Sequence, residues 1–350
     1  MKKAAWIAMV ALLALVAAGC GGSSKSSSSG KTGTSTGGGG TSSGKTLKIG
    51  LVTDTSQLND RGFNHLAYVG LQRAESQLGV QIRVFESNSN AEYIPNLSRF
   101  AQLGYDLVIG VGYTETNAMD AVATKFPDKK FAIVDVANAD MKHHPKNVVG
   151  LLFKEQEVGY LAGYLAALEA KRKGANLVSS VGGQKQPPVD RFIAGYQAGA
   201  QKAVPGITAR NTYSDNFDDQ AKCKEIALNQ IAAGSAVLFQ VAGGCGLGAL
   251  DAAKEKGVWG IGVDADQSFL GPHILTSATK GVDTAVFDTI KSIQDGSFKG
   301  GVDSIFGLAQ HGVGLGKISP KVPKSEVDAV QKIRDEIGAG KAGPIPTIVK

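Results

Sequence analysis

The sequence predicts an α/β protein built of two doubly wound lobes, each a parallel sheet covered by helices on both faces. Three observations carry this. From residue 47 onward, short β-type runs alternate with runs of helical period, and the alternation restarts near residue 176. Several strand runs, Asp106 to Val111 and Phe131 to Asp135 among them, are almost continuously apolar, as a sheet buried on both faces requires. A length of 350 residues, with 43% hydrophobic and 19% charged, suits two lobes with ample cores and excludes global disorder.

The first 45 residues stand apart. Residues 1–19 read as a secretory signal peptide: Met1-Lys2-Lys3 is a positive start, and Ala4 to Ala18 is apolar but short for a membrane span. The small residues before Cys20 match a lipobox, with Ala17 where Leu or Val is commoner. In that reading Cys20 is lipidated by acyl chains such as palmitate and begins the mature chain. The alternative is an ordinary signal peptide with Cys20 incidental. Residues 20–45 are then the lipidated cysteine and a leash of Gly, Ser, Thr and Lys, which cannot repay the entropy of ordering. Its 25 residues after Cys20 reach about 25–30 Å. Such a chain is expected at the outer face of the cytoplasmic membrane, held by its lipid alone, and no later run is apolar enough to span. The net charge of +6 resides largely here. Five lysines and no acid lie in residues 1–45, which leaves 32 basic against 31 acidic residues for the body, so no nucleic-acid partner is expected.

The body is read in order. Leu47 to Thr53 is a strand, and Gly62 to Gly79 a helix with Phe63, Leu66, Ala67, Leu71, Ala74 and Leu78 on one face. Strands follow at 80–85, 106–111, 131–135 and 148–153, with helices at 92–103 and 116–126 between them. A long helix at 155–171 opens the second run: strands 176–181, 206–213, 236–242 and 258–263, helices 189–203, 218–233 and 247–256. After Asp264 the alternation loosens into a short strand at 274–276, a helix at 282–294, a strand at 304–308 and a last helix at 325–337. A late return to the first sheet gives three crossings between lobes, and so a hinge. The expected N-terminal lobe is 46–152 plus about 277–302. The C-terminal lobe is 153–276 plus about 303–350.

Ligands of open α/β sheets sit beyond the carboxyl ends of the strands. After the first strand comes Asp60-Arg61-Gly62-Phe63-Asn64. Asn64 can donate and accept at once, which suits a nucleobase edge, and Phe63 offers a stacking face. Equally, Asp60 can cap the helix and Phe63 can be core. Gly243-Gly244-Cys245-Gly246 follows a later strand, as a glycine turn that admits a phosphate or a close ligand. Asp264 can accept both hydroxyls of a sugar cis-diol, or cap its own loop. Lys280 can reach the same sugar, or be solvated.

Four segments taken together resemble the basic membrane protein (BMP) family: Leu58 to Asn64, Glu155 to Gly163, Phe239 to Gly244, and Gly262 to Gln267. These are substrate-binding lipoproteins of ABC transporters, and the best understood members bind purine nucleosides. The resemblance runs from about Leu47 to Ile337. It implies a type I periplasmic-binding-protein fold, two Rossmann-like lobes joined by a three-segment hinge. By position it implies that Phe63 and Phe217 stack on the two faces of a base, that Asp60 and Asn64 hydrogen-bond near it, and that Asp135 lines the cleft. Gly243, Asp264 and Lys280 would hold the ribose. It further implies a nucleoside ligand, permease subunits as partners, and action as a monomer without a cofactor. A receptor that reports ligand state, or a sugar binder of the same fold, would use the same closing lobes.

Catalytic patterns are missing. The five histidines form no metal-ligand spacing, and there is no nucleophile elbow or phosphate-binding loop, so neither an enzyme nor a metal site is expected. With Cys20 taken by lipid, Cys223 and Cys245 remain. Neighbouring βα units place them near each other at the cleft end of one lobe, where a disulfide can form in oxidising surroundings. The alternative is two buried free thiols.

Overall fold

A computed structural model describes residues 46–350; the expected signal peptide, Cys20 and the leash lie outside the described residues. The first run comprises β1 (Lys48–Thr53), α1 (Phe63–Leu78), β2 (Gln81–Phe85), α2 (Tyr93–Gln102), β3 (Leu107–Val111), α3 (Thr116–Lys125), β4 (Phe131–Val134) and β5 (Val148–Phe153). The second comprises α4 (Glu155–Arg172), β6 (Leu177–Gly182), α5 (Pro187–Ala203), β7 (Thr208–Tyr213), α6 (Gln220–Ala232), β8 (Val237–Val241), α7 (Gly243–Lys256), β9 (Trp259–Asp264) and β10 (Ile274–Lys280). The chain ends with α8 (Val282–Gln294), β11 (Val302–Phe306), β12 (Val313–Leu315) and α9 (Lys324–Gly338).

The strands form two six-stranded sheets, in the orders β11-β5-β4-β3-β1-β2 and β12-β10-β9-β8-β6-β7. Every pairing is parallel except β10 with β12. The apolar runs take the central places: β3, β4, β8 and β9 are buried at every residue, whereas edge strand β7 alternates. That is the pattern of a sheet covered on both faces at its centre and less so at its margin.

Helix ends follow their local chemistry. α1 stops at Gly79, whose left-handed backbone (φ 68°) lets its N–H reach the Glu75 carbonyl. α5 starts on Pro187-Pro188, where no N–H is missed. α6 starts at Asp219, whose carboxylate accepts from the Ala221 and Lys222 N–H groups. α4 and α5 approach closely through glycines: a Cβ on Gly159, Gly163, Gly195 or Gly199 would overlap a backbone carbonyl of the facing helix.

The chain crosses between sheets three times, after β5, after β10 and after β11. Two crossings lie later than expected. β10 continues to Lys280, paired to β9 and β12, so the passage placed near 277 falls at Gly281. β11 pairs with β5 from Val302↔Val149 to Phe306↔Phe153, so residues 303–306 belong to the first sheet and the passage placed near 303 falls at Gly307. The crossings are tied side by side. Lys154 N–H donates to the Phe306 carbonyl at 2.9 Å, and Leu308 N–H to Glu157 Oε2 at 2.7 Å.

Candidate functional site

The carboxyl ends of both sheets face one cleft, with about 510 Å3 of space between atoms, its mouth included. All eight residues singled out from the sequence line it: Asp60, Phe63, Asn64 and Asp135 from the first sheet, and Phe217, Gly243, Asp264 and Lys280 from the second. Asp54, Ser56, Tyr113, Gln186 and Phe192 line it too, and the sequence had not marked them.

The wall after β1 is a hydrogen-bonded knot. Asp60 accepts the N–H groups of Gly62 (2.9 Å), Asn64 (2.7 Å) and His65 (3.1 Å), so its carboxylate holds the first turn of α1 in place. Asn64 is fully buried; its Nδ2 donates to Asp54 Oδ1 at 2.7 Å and to Asp60 Oδ2 at 3.3 Å. Its Oδ1 has no partner. His65, next along, points to solvent. Phe63 is half-buried, beside Gly112: a Cβ there would stand 3.4 Å from the ring. Burial pushes the Asp54 carboxyl up to about 7, against the pull of its hydrogen bonds from Asn64 and Ser56.

Lys280 is neither solvated nor free. It is buried at the end of β10, and its Nζ lies 2.7 Å from Asp135 Oδ2 and 3.3 Å from Glu155 Oε1. The same Nζ stands over the Phe63 ring, 4.8 Å from its centroid. Glu155 in turn takes Arg191 Nε at 2.6 Å. Desolvation pulls the Lys280 pKa down, but Asp135, Glu155 and Asp264 together hold it above the usual lysine range. The ammonium therefore stays charged. Burial raises the Asp135 carboxyl, with Lys280 opposing, and Asp135 Oδ1 is left without a partner. Glu155 was quoted only within a family-like segment; as a first-turn acid of a helix it had no separate signal.

Asp264 ends β9 in a left-handed conformation (φ 62°), and Asp135 follows β4 in another (φ 71°). Both turns aim a carboxylate at the cleft. Among the described residues none donates a hydrogen bond to the Asp264 carboxylate, and burial first, then the neighbouring acids, push it up to about 7 in spite of Lys280.

The opposite wall hangs on Phe217. Its ring packs over Gly183, and its carbonyl accepts from Cys245 N–H at 2.7 Å. α7 begins at Gly243 (φ 54°), where the sequence had placed a turn lasting to 246. A disulfide joins Cys223 of α6 to Cys245 in the first turn of α7, with Cα atoms 5.5 Å apart. The lobes touch around the cleft. Ser56 and Thr55 oppose the burial that raises the Asp218 carboxyl, Gln267 Nε2 donates to the Arg61 carbonyl at 3.4 Å, and the Arg61 guanidinium lies 5.9 Å from the Phe269 ring centre.

A cleft with facing aromatics, an amide and carboxylates suits a neutral ring bearing hydroxyls. Its acid excess is unsuited to a phosphate. Among the described residues no group of His, Cys, Asp or Glu could hold a metal, and no helix is long and apolar enough to cross a membrane.

Residues 47–345 match the model of a family described as ABC transporter substrate-binding protein, PnrA-like. An ABC transporter nucleoside-binding protein of Lactococcus lactis subsp. cremoris is 36% identical over 318 residues, 84% of this chain and 88% of the relative. An uncharacterized lipoprotein of Pyrococcus horikoshii is 32% identical over 332 residues, 85% of this chain and 81% of the relative. A solute-binding protein of an ABC transporter system from Aeropyrum pernix K1 has the same fold, with a TM-score of 0.78 at 26% identity over 86% of this chain and 94% of that one. The fold is thus type I periplasmic-binding-protein-like.

Proposed function

The chain belongs to the family of PnrA-like ABC transporter substrate-binding proteins, and from that premise we propose that it captures a purine nucleoside and hands it to a membrane permease. The family is one of binding proteins, not of enzymes. The observation that carries the nucleoside reading is the division of the cleft: Phe63 and buried Asn64 on one lobe, Phe217, Gly243 and Asp264 on the other. A base stacks on the aromatics and meets the amide. A ribose offers its cis-diol to the Asp264 carboxylate, which has no donor of its own. Both lobes then gain contacts only on closure, and only such differential affinity shifts an open–closed balance.

The same reading places the protein as a monomer at the outer face of the cytoplasmic membrane, anchored through Cys20. The lipoprotein name of the Pyrococcus relative supports the anchor. Titration calorimetry with inosine, adenosine and guanosine, with ribose and arabinose as controls, tests the ligand. Heat and a thermal shift with the nucleosides alone are expected. Binding of the sugars and none of the nucleosides would overturn the reading.

A further inference from the structure

The cleft contains an acceptor that the protein has arranged to leave free. Asn64 Oδ1 is buried and unpartnered, while both protons of its Nδ2 are engaged by Asp54 and Asp60. Turning the amide over would set Oδ1 against two carboxylate oxygens, which repel it once Asp54 ionises above about pH 7, so at pH 8, where the test below is run, charge fixes the orientation of the amide. Asp60 is needed by the backbone N–H groups of α1's first turn. Asp54 lies outside that turn, ten residues before Asn64, and makes the shorter of the two contacts. A Cβ on Gly112 would stand only 3.2 Å from Asp54 Oδ2, so the close approach of β3's end also holds this carboxylate against Asn64.

We propose that Asp54 is a positioning residue: it locks Asn64 as a pure hydrogen-bond acceptor, and so restricts the cleft to bases that present an N–H edge. The inference rests on the nucleoside reading above. Inosine offers N1–H at that edge and adenosine its exocyclic amine. Purine riboside has the same ribose and ring system but no N–H on its base. Bound in this cleft, it leaves a buried acceptor unpaired, which is how polar sites reject an analogue lacking a donor.

The test measures dissociation constants for inosine, adenosine and purine riboside by calorimetry at pH 8, on the wild-type chain and on Asp54→Asn. Asparagine matches the size of aspartate but can present either end of its amide, so Asn64 is released to rotate. Wild type is expected to bind purine riboside at least about tenfold more weakly than inosine or adenosine. In Asp54→Asn that ratio should fall to about threefold or less. A wild type that does not discriminate, or a variant that keeps the full ratio, overturns the lock and leaves nucleoside binding standing. A wild type that binds none of the three overturns the nucleoside reading, and the lock with it. Should Asp54→Asn fail to fold, Asn64→Ala replaces it: removing the acceptor must bring the ligands together, and a preserved ratio refutes the proposal.

Discussion

A carboxylate in a left-handed turn, buried, with no donor from its own protein, is costly unless something outside the chain meets it, and Asp264 is in that position. Charge-assisted hydrogen bonds from a diol are worth roughly 1.5–3 kcal/mol each. Asp264→Ala should therefore weaken adenosine far more than adenine, which has no ribose; calorimetry showing equal losses would remove the diol role. The carboxyl also sets a pH dependence. Its folded value of about 7 lies above the ordinary aspartate value, so between roughly pH 4 and 7 the folded chain holds the proton that the unfolded chain has lost. That stabilisation is complete at low pH and disappears as pH rises through 7. Asp264→Asn, which cannot ionise, should melt above wild type at pH 8 without ligand, with the advantage shrinking toward pH 5. A melting difference that does not change with pH would contradict the buried charge. Nucleoside affinity of the wild type should run the other way, rising from pH 5 to 8 as the acceptor ionises.

Between elements, the strongest local tie to the site is the Cys223–Cys245 disulfide, which joins α6 to α7 where Cys245 N–H holds the Phe217 carbonyl. Its 22-residue separation corresponds to about 3 kcal/mol in the chain-entropy model. Replacing both cysteines by serine should lower Tm by roughly 6–12 °C and weaken nucleoside binding through Phe217. Mass spectrometry of exported, unreduced protein after alkylation checks the bond itself, and two alkylated thiols would refute it. These two cysteines were legible because consecutive βα units put them at one end of one lobe. Asp60, Phe63, Asn64, Gly243, Asp264 and Lys280 were legible for a related reason, since each belongs to a segment that follows a strand, whereas Asp135 and Phe217 came from the family resemblance alone. Where the reading failed, distant packing had replaced local preference. Gly243 to Gly246 looked like a turn because glycine is a poor helix former. Yet a Cβ on Gly246 would overlap the Gln240 side chain and one on Gly248 the Gln220 carbonyl, so small residues let α7 start early against its neighbours. Asp54 looked like any polar loop residue, since nothing in its vicinity along the chain announces that Asn64 will be buried against it. β12, three residues long, is too short to show a period.

At the scale of the whole molecule, a buried charge cluster bridges the two lobes. Lys280 belongs to the second sheet and Asp135 follows a strand of the first, so their 2.7 Å contact crosses the cleft. Glu155, just past the first crossing, shares the same ammonium at 3.3 Å, and Asp264 adds a third carboxylate to its field. Lys280 thus stands among three acids, of which Glu155 alone has a second cation, Arg191, within contact. Closure without Lys280 would press those acids together in a medium that screens them poorly. An ion pair so placed is expected to act as a latch whose strength depends on the closed geometry, to which a ligand adds whatever it binds better in that geometry than in the open one. Replacing Lys280 with methionine keeps the bulk of the side chain and removes the charge. Loss of one partner from a buried pair typically costs about 3–5 kcal/mol, so the variant should melt lower than wild type. It should also rest open: small-angle scattering of the ligand-free variant is expected to give a larger radius of gyration than wild type, and nucleoside should fail to restore it. Lowering the pH to 5 protonates Asp264, whose carboxyl lies at about 7, and should draw the variant's radius back toward the wild-type value, which simple loss of packing at position 280 would not do. Identical scattering from the two proteins at neutral pH would show that the lobes are held by their other contacts, and that Lys280 is no latch.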